Sequence, residues 1–190
     1  MTPFQERLNL ILEKITSDGF LESRGLGNEI SFHIFDYPPK EEQAMRQHLS
    51  FLLEHGPKKR PGLKIFHLDL WKFTIEYLQS AGLLDKSIEK QKKEGDAALL
   101  KALSGRLKED KLAPLIAQKV MESSPSLVFL TGIGPVYPLI RGHSLFESLH
   151  SHLDKIPVIL FYPGEYDGKS LKLFGTIESN NYYRAFRLIP

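Results

Sequence analysis

Apolar residues recur at intervals of three and four from the start of the chain: Phe4, Leu8, Ile11, Leu12 and Ile15 line one face of an amphipathic helix. Ser17-Asp18-Gly19 predicts where it stops. The pattern then changes character. Glu29 to Tyr37 (EISFHIFDY) is dense in β-branched and aromatic residues and reads as a buried strand, halted by Pro38-Pro39 because the proline ring removes the N–H a ladder needs. Helical spacing returns over Lys40 to Gly56, with Met45, His48, Leu49, Leu52 and Leu53 on one side, Glu41 and Glu42 in the first turn, and Gly56 as the expected stop. The basic turn Lys58-Lys59-Arg60-Pro61-Gly62 leads into a second strand, Leu63 to Leu68. Asp69 is placed to cap the next helix, which Gly82 ends.

From 85 to 124 the chain is charged and helical, with no strand signal; Pro114 fits near the first turn of the last helix of this insert, where its missing N–H does least harm. Leu127 to Leu130 is a short apolar strand running into Thr131-Gly132-Ile133-Gly134. Ser144-Leu145-Phe146-Glu147 has the spacing of a capping box, and Val158 to Tyr162 is a further strand that Pro163-Gly164 should end. Leu171 to Phe174 and Arg184 to Ile189 add late, less buried strands. Continuous apolar strands separated by helices predict an α/β domain, a mostly parallel sheet of about four to five strands covered by helices on both faces. With 190 residues, 42% of them hydrophobic, the expectation is one α/β domain over 1–190 carrying the helical insert 85–124.

Charge excludes little beyond extremes: 25 Lys and Arg against 23 Asp and Glu leave a formal +2, so no large basic or acidic excess selects nucleic acid. The absence of cysteine removes disulfides, thiolate metal sites and a cysteine nucleophile, and makes a reducing cytoplasm the expected compartment. Charges at Glu6, Arg7, Glu13 and Lys14 interrupt what a signal peptide would need. The longest apolar run, Ile156 to Tyr162, is far below the roughly 20 residues of a membrane span, so a soluble protein without a membrane partner is expected.

A parallel α/β sheet invites a search for phosphate-binding loops at the ends of its strands. No GxxxxGK motif is present, and the first strand ends in Asp36-Tyr37-Pro38-Pro39, an acid and two amide-free prolines. Thr131-Gly132-Ile133-Gly134 lacks the third glycine of a dinucleotide fingerprint. The fold is thus Rossmann-like or P-loop-like without its P-loop. Asp36, Asp69, Glu165 and Asp167 follow strands and offer a hard-cation set, although Asp69 doubles as a helix cap and Asp167-Gly168 as a turn. The histidines show no HExxH spacing, and His33 and His67 read as hydrogen-bonded strand residues. GxSxG is absent. Lys58, Lys59 and Arg60, the group Lys90, Lys92 and Lys93, and the aromatic and arginine end of the chain offer a weak nucleic-acid contact. That end, Ser179 to Pro190, also reads as a protein interface, with Tyr182, Tyr183, Arg184 and Arg187 as the anchors.

Several of these segments together carry a resemblance. Gly25-Leu26-Gly27-Asn28-Glu29-Ile30 leading to Ile34-Phe35-Asp36-Tyr37-Pro38-Pro39, then Leu130-Thr131-Gly132-Ile133-Gly134, Phe161-Tyr162-Pro163-Gly164-Glu165-Tyr166-Asp167-Gly168 and Asn180-Asn181-Tyr182-Tyr183-Arg184-Ala185-Phe186 resemble the BrxB family over essentially the whole chain. Each segment alone is a turn or a strand end; their combination is specific. The family belongs to BREX, a bacterial system that blocks phage and marks host DNA by methylation. The resemblance implies company: a large ATPase, an adenine methyltransferase and PglZ, a protein of the alkaline-phosphatase superfamily, which is the expected direct partner. It carries over no catalytic residues and no cofactor. The expectation is therefore a non-enzymatic adaptor that binds PglZ, with two alternatives: a nucleic-acid-binding subunit of the same system, or a cryptic metal- or nucleotide-binding enzyme using Asp36, Asp69 and Asp167.

Overall fold

The computed structural model describes residues 2–22, 31–178 and 185–190. Helix α1 (Pro3–Thr16) begins with a reciprocal cap: the Gln5 amide donates to Thr2 Oγ1 at 3.3 Å and the Thr2 amide donates to Gln5 Oε1 at 2.9 Å. Two amides that the helix cannot use itself are thereby satisfied. Its buried stripe is Phe4, Leu8, Ile11 and Ile15. A short α2 (Asp18–Leu21) follows, then strand β1 (Phe32–Tyr37) and, past a 3-10 turn, α3 (Glu42–Lys59).

Gly56 was expected to stop α3, yet the helix runs through it and through Pro57 to Lys59. The reason is packing: a Cβ on Gly56 would come within 2.9 Å of the Ile65 side chain, so this glycine is the close-approach point between helix and sheet. Beyond it lie β2 (Ile65–Asp69), α4 (Leu70–Ser80), α5 (Leu84–Glu94), α6 (Asp96–Ser104) and α7 (Glu109–Ser123). The insert is helical as expected, but Pro114 lies inside α7 rather than in its first turn. Helices α5 and α6 bury little, Ser87 and Leu103 respectively, whereas α7 buries Leu112, Ala113, Ile116, Ala117 and Val120.

The chain continues through β3 (Leu127–Thr131), α8 (Ile133–Val136), α9 (Gly142–His150), β4 (Val158–Tyr166), β5 (Leu171–Leu173), β6 (Ile177–Glu178) and β7 (Phe186–Arg187). The main sheet has the order β2-β3-β4-β1-β7, and each neighbouring pair is parallel. Side chains alternate between its faces. Phe35, Phe129, Ile159 and Phe161 pack with α1 and α3; Ile34, Leu130 and Leu160 pack with α4, α7 and α9. The α/β architecture with a mostly parallel, helix-covered sheet is the one the sequence pattern predicts.

Strand β4 departs from expectation at its end. It runs through Pro163-Gly164 because it changes partners there: Pro163 closes the parallel register opposite Tyr37, and Gly164 opens an antiparallel register opposite Leu173. Proline costs little where a ladder ends. Helix α9 also starts earlier than the Ser144 signal implied. Arg141 is its N-cap, and the Arg141 amide donates to Glu109 Oε1 of α7 at 2.8 Å, so a neighbouring helix supplies what the local capping box would have.

Candidate functional site at the carboxyl end of the sheet

The acids predicted at the strand ends do lie at the carboxyl end of the sheet, but Asp36, Asp69 and Asp167 are each engaged in structure. Asp36 is 8% exposed. Its Oδ1 accepts from Arg7 Nη2 at 2.6 Å, and its Oδ2 accepts from the Tyr166 amide at 3.1 Å. The Arg7 guanidinium also donates to the carbonyls of Asp36 at 2.9 Å and of Ile189 at 3.1 Å and lies over the Phe35 ring at 4.8 Å. One charge pair therefore clasps α1, β1, β4 and the chain end together. A buried charge that is paired and fully hydrogen-bonded is tolerated in such a place.

Arg187 belongs to the same clasp. Its guanidinium donates to the Tyr166 carbonyl and lies 3.6 Å from Asp36 Oδ2, with 40% of the side chain still exposed. Tyr166 is buried, and its hydroxyl donates to the Ala185 carbonyl at 2.7 Å. Tyr182, Tyr183 and Arg184, the other interface residues expected from the sequence, lie outside the described residues.

Asp69 caps α4, its Oδ1 accepting from the amides of Trp71 at 2.9 Å and Lys72 at 3.1 Å. Asp167 closes its own turn, accepting from the Lys169 and Ser170 amides at 2.7 Å; these hydrogen bonds, Ser170's foremost, hold its carboxyl at about 2. Glu165 faces solvent opposite Lys172 in the β4–β5 register. Among the described residues no group of three or more His, Asp or Glu side chains is placed to share a metal ion. The four acids are thus near one end of the sheet without forming a common site.

The histidines separate by neighbourhood. His67 Nε2 is 2.9 Å from Thr131 Oγ1 across β2 and β3, the hydrogen-bonded strand residue expected. His33 differs: it packs between the rings of Phe20 at 4.8 Å and Phe186 at 5.9 Å, and its Nδ1 has no hydrogen-bond partner among the described residues. Burial, helped by the positive charge of Lys14, holds it at about 4. The basic turn is spent locally as well. Lys58 pairs with Glu54, Lys59 with Glu13, and Arg60 with Asp18, which leaves little free positive charge for a phosphate backbone.

Glycines explain the motifs. Gly132 has φ +76°, and a Cβ there would fall 2.5 Å from Asp69 Oδ1, so the turn after β3 seats itself against the cap of α4. A Cβ on Gly134 would meet the Phe174 ring at 3.0 Å, and one on Gly164 would meet the Lys172 carbonyl at 2.2 Å. These positions let the β5–β6 hairpin fold over the ends of β3 and β4. Between the hairpin, α8 and the start of α9 remains a cleft of about 380 Å³, lined by Ile133, Leu171, Leu173 and Ile177 with Arg141 and Tyr162 among its polar groups. On the surface, Trp71 at the start of α4 is 44% exposed and Phe174 of the hairpin 40%. The late strand expected over Leu171 to Phe174 is β5, but its folding back over the ends of β3 and β4 rests on contacts such as Gly134 with Phe174, between segments far apart in the chain, which no local pattern shows.

The geometry defines a class: a mostly parallel α/β domain in which the strand-end acids Asp36, Asp69 and Asp167 serve as clasp, cap and turn, and whose carboxyl end carries an antiparallel hairpin. The family model for the BREX protein BrxB matches residues 66–188, and the chain belongs to the BrxB family. It is 42% identical over 191 residues to the BREX protein BrxB of Bacillus cereus (strain H3081.97), covering 100% of this chain and 99% of that protein. It is 41% identical over 184 residues to the BREX protein BrxB of Escherichia coli O9:H4 (strain HS), covering 97% of this chain and 90% of that one. No solved structure matches it. The protein is accordingly a component of BREX phage defence. Among the described residues no helix is long and apolar enough to cross a membrane.

Proposed function

We propose that this BrxB-family chain is a non-enzymatic adaptor of the BREX system, working in the cytoplasm, that holds PglZ through its surface. The observation that carries the reading is the use made of the strand-end acids. Asp36, Asp69 and Asp167 are bonded to Arg7, to the start of α4 and to the Asp167 turn, where an enzyme of this fold would present them to a ligand. Exposed aromatic side chains beside them, Trp71 and Phe174, are of the type enriched at interface anchors. The segment from Tyr182 to Arg184 joins the proposed contact by composition.

Co-expression of the chain with its cognate PglZ, followed by size-exclusion chromatography with light scattering at low and high salt, tests this. A complex that persists in high salt, and that Trp71→Ala with Phe174→Ala or Tyr182→Ala with Tyr183→Ala weakens about tenfold or more, is the expected result. Two separate species at both salt concentrations would overturn direct PglZ binding.

A further inference from the structure

Independently of any partner protein, the geometry points to the cleft between α8, α9 and the β5–β6 hairpin as a binding site for a compact organic carboxylate with an apolar body, its carboxylate on Arg141. The volume of about 380 Å³ lies within the ~300–1,000 Å³ of small-molecule sites. Its position, above the carboxyl ends of β3 and β4, is where open parallel sheets bind ligands. Tyr137 and Ile177, both lining the cleft and both only half-buried, are the side chains that offer it apolar contact. Arg141 is exposed and has no ion pair among the described residues. Its backbone is held by the amide's bond to Glu109 Oε1 at 2.8 Å, and the residue lines the cleft. A guanidinium so placed matches a carboxylate through paired N–H donors.

The surrounding charge limits the ligand to one negative group. Glu178, paired with Lys172 at 3.6 Å, lines the cleft, and Glu109 and Glu147 are close enough to act electrostatically on His143 beside Arg141, so the acids still outnumber the bases. Against these acids a dianionic phosphate monoester meets net repulsion, whereas a single carboxylate is balanced by Arg141. The cleft is also constructed rather than left over. Glycine at 142 lets the start of α9 lie close against two of the cleft's other lining residues, since a Cβ there would sit 3.3 Å from Ile133 and 3.5 Å from the Tyr162 ring.

The test is titration of the isotopically labelled full chain, followed by amide NMR, with 3-phenylpropionate, its uncharged amide and phenyl phosphate. Saturable binding of 3-phenylpropionate is expected, with shifts centred on Ile133, Leu171 and Ile177. The amide and phenyl phosphate should each bind at least about tenfold more weakly. Arg141→Ala should weaken the carboxylate about tenfold and Arg141→Lys less. Ile177→Trp, which fills the space, should abolish binding while leaving the dispersed spectrum of a folded chain. No saturation by about 10 mM, equal binding of acid and amide, or an unchanged affinity in Arg141→Ala would each overturn the site. The comparison of acid with amide needs no variant, so a misfolded mutant cannot rescue the idea.

Discussion

Asp36→Ala tests the clasp that ties both ends of the chain to the sheet. The substitution removes a 2.6 Å charge-assisted bond from Arg7 and a 3.1 Å bond from the Tyr166 amide, contributions of about 1.5–3 and about 1 kcal/mol. It also leaves a guanidinium whose side chain is only 22% exposed without its carboxylate. Arg7 keeps its bonds to the Asp36 and Ile189 carbonyls, which holds the penalty below that of a wholly orphaned charge. The expected loss is about 3 kcal/mol, or a fall in Tm of roughly 10 °C for a domain of this size. Urea unfolding of the wild type, Asp36→Ala, Arg7→Ala and the double variant measures it, and the two single losses should exceed the double by about 1.5 kcal/mol or more. Should Asp36→Ala cost less than about 1 kcal/mol, as a solvated surface pair would, or should the two losses simply add, the clasp does not hold the fold as argued.

Further consequences concern the caps, the hairpin and pH. Asp69→Ala should cost about 1–2 kcal/mol through the loss of the α4 cap; Gly132→Ala, which would crowd Asp69 Oδ1 at 2.5 Å, should cost less in the Asp69→Ala background than alone, as thermal unfolding of the four proteins would show. Gly164→Ala places a methyl 2.2 Å from the Lys172 carbonyl and should destabilise by about 3 kcal/mol, with hydrogen exchange at Leu171 and Leu173 accelerating first if the hairpin opens locally. His33 is held at about 4 in the folded chain against 6.5 in its ordinary state, so between those values the unfolded chain binds a proton that the native chain does not. The share of stability due to His33 is then constant above about pH 6.5 and falls by about 3 kcal/mol as the pH drops to about 4. His33→Leu should remove that share of the slope between urea midpoints at pH 7.5 and 4.5, and an unchanged slope would place the acid sensitivity elsewhere.

Hydrophobic period and punctuation in the sequence determined the alternation of helices and parallel strands, the face that α1 buries, the α4 cap at Asp69 and the helical character of 85–124. Those features follow from neighbours within a turn or two of the chain, where side-chain spacing and the chemistry of Asp, Pro and Gly act directly. The motif resemblance reached further, to the family, because it compares residue combinations rather than forces. Tertiary structure alone decided the rest. Gly56 reads locally as a helix stop, but Ile65 arrives from another element to make it a contact point. Ser144 reads as a cap, but Glu109 of α7 does that work one turn earlier. Pro163-Gly164 reads as a strand end, and becomes the place where β4 exchanges parallel for antiparallel partners. Asp36 offered itself as a ligand until Arg7, 29 residues away, and Tyr166, 130 away, closed on its carboxylate. A carboxylate's role is set by which charges and amides reach it in space, and no local pattern specifies that.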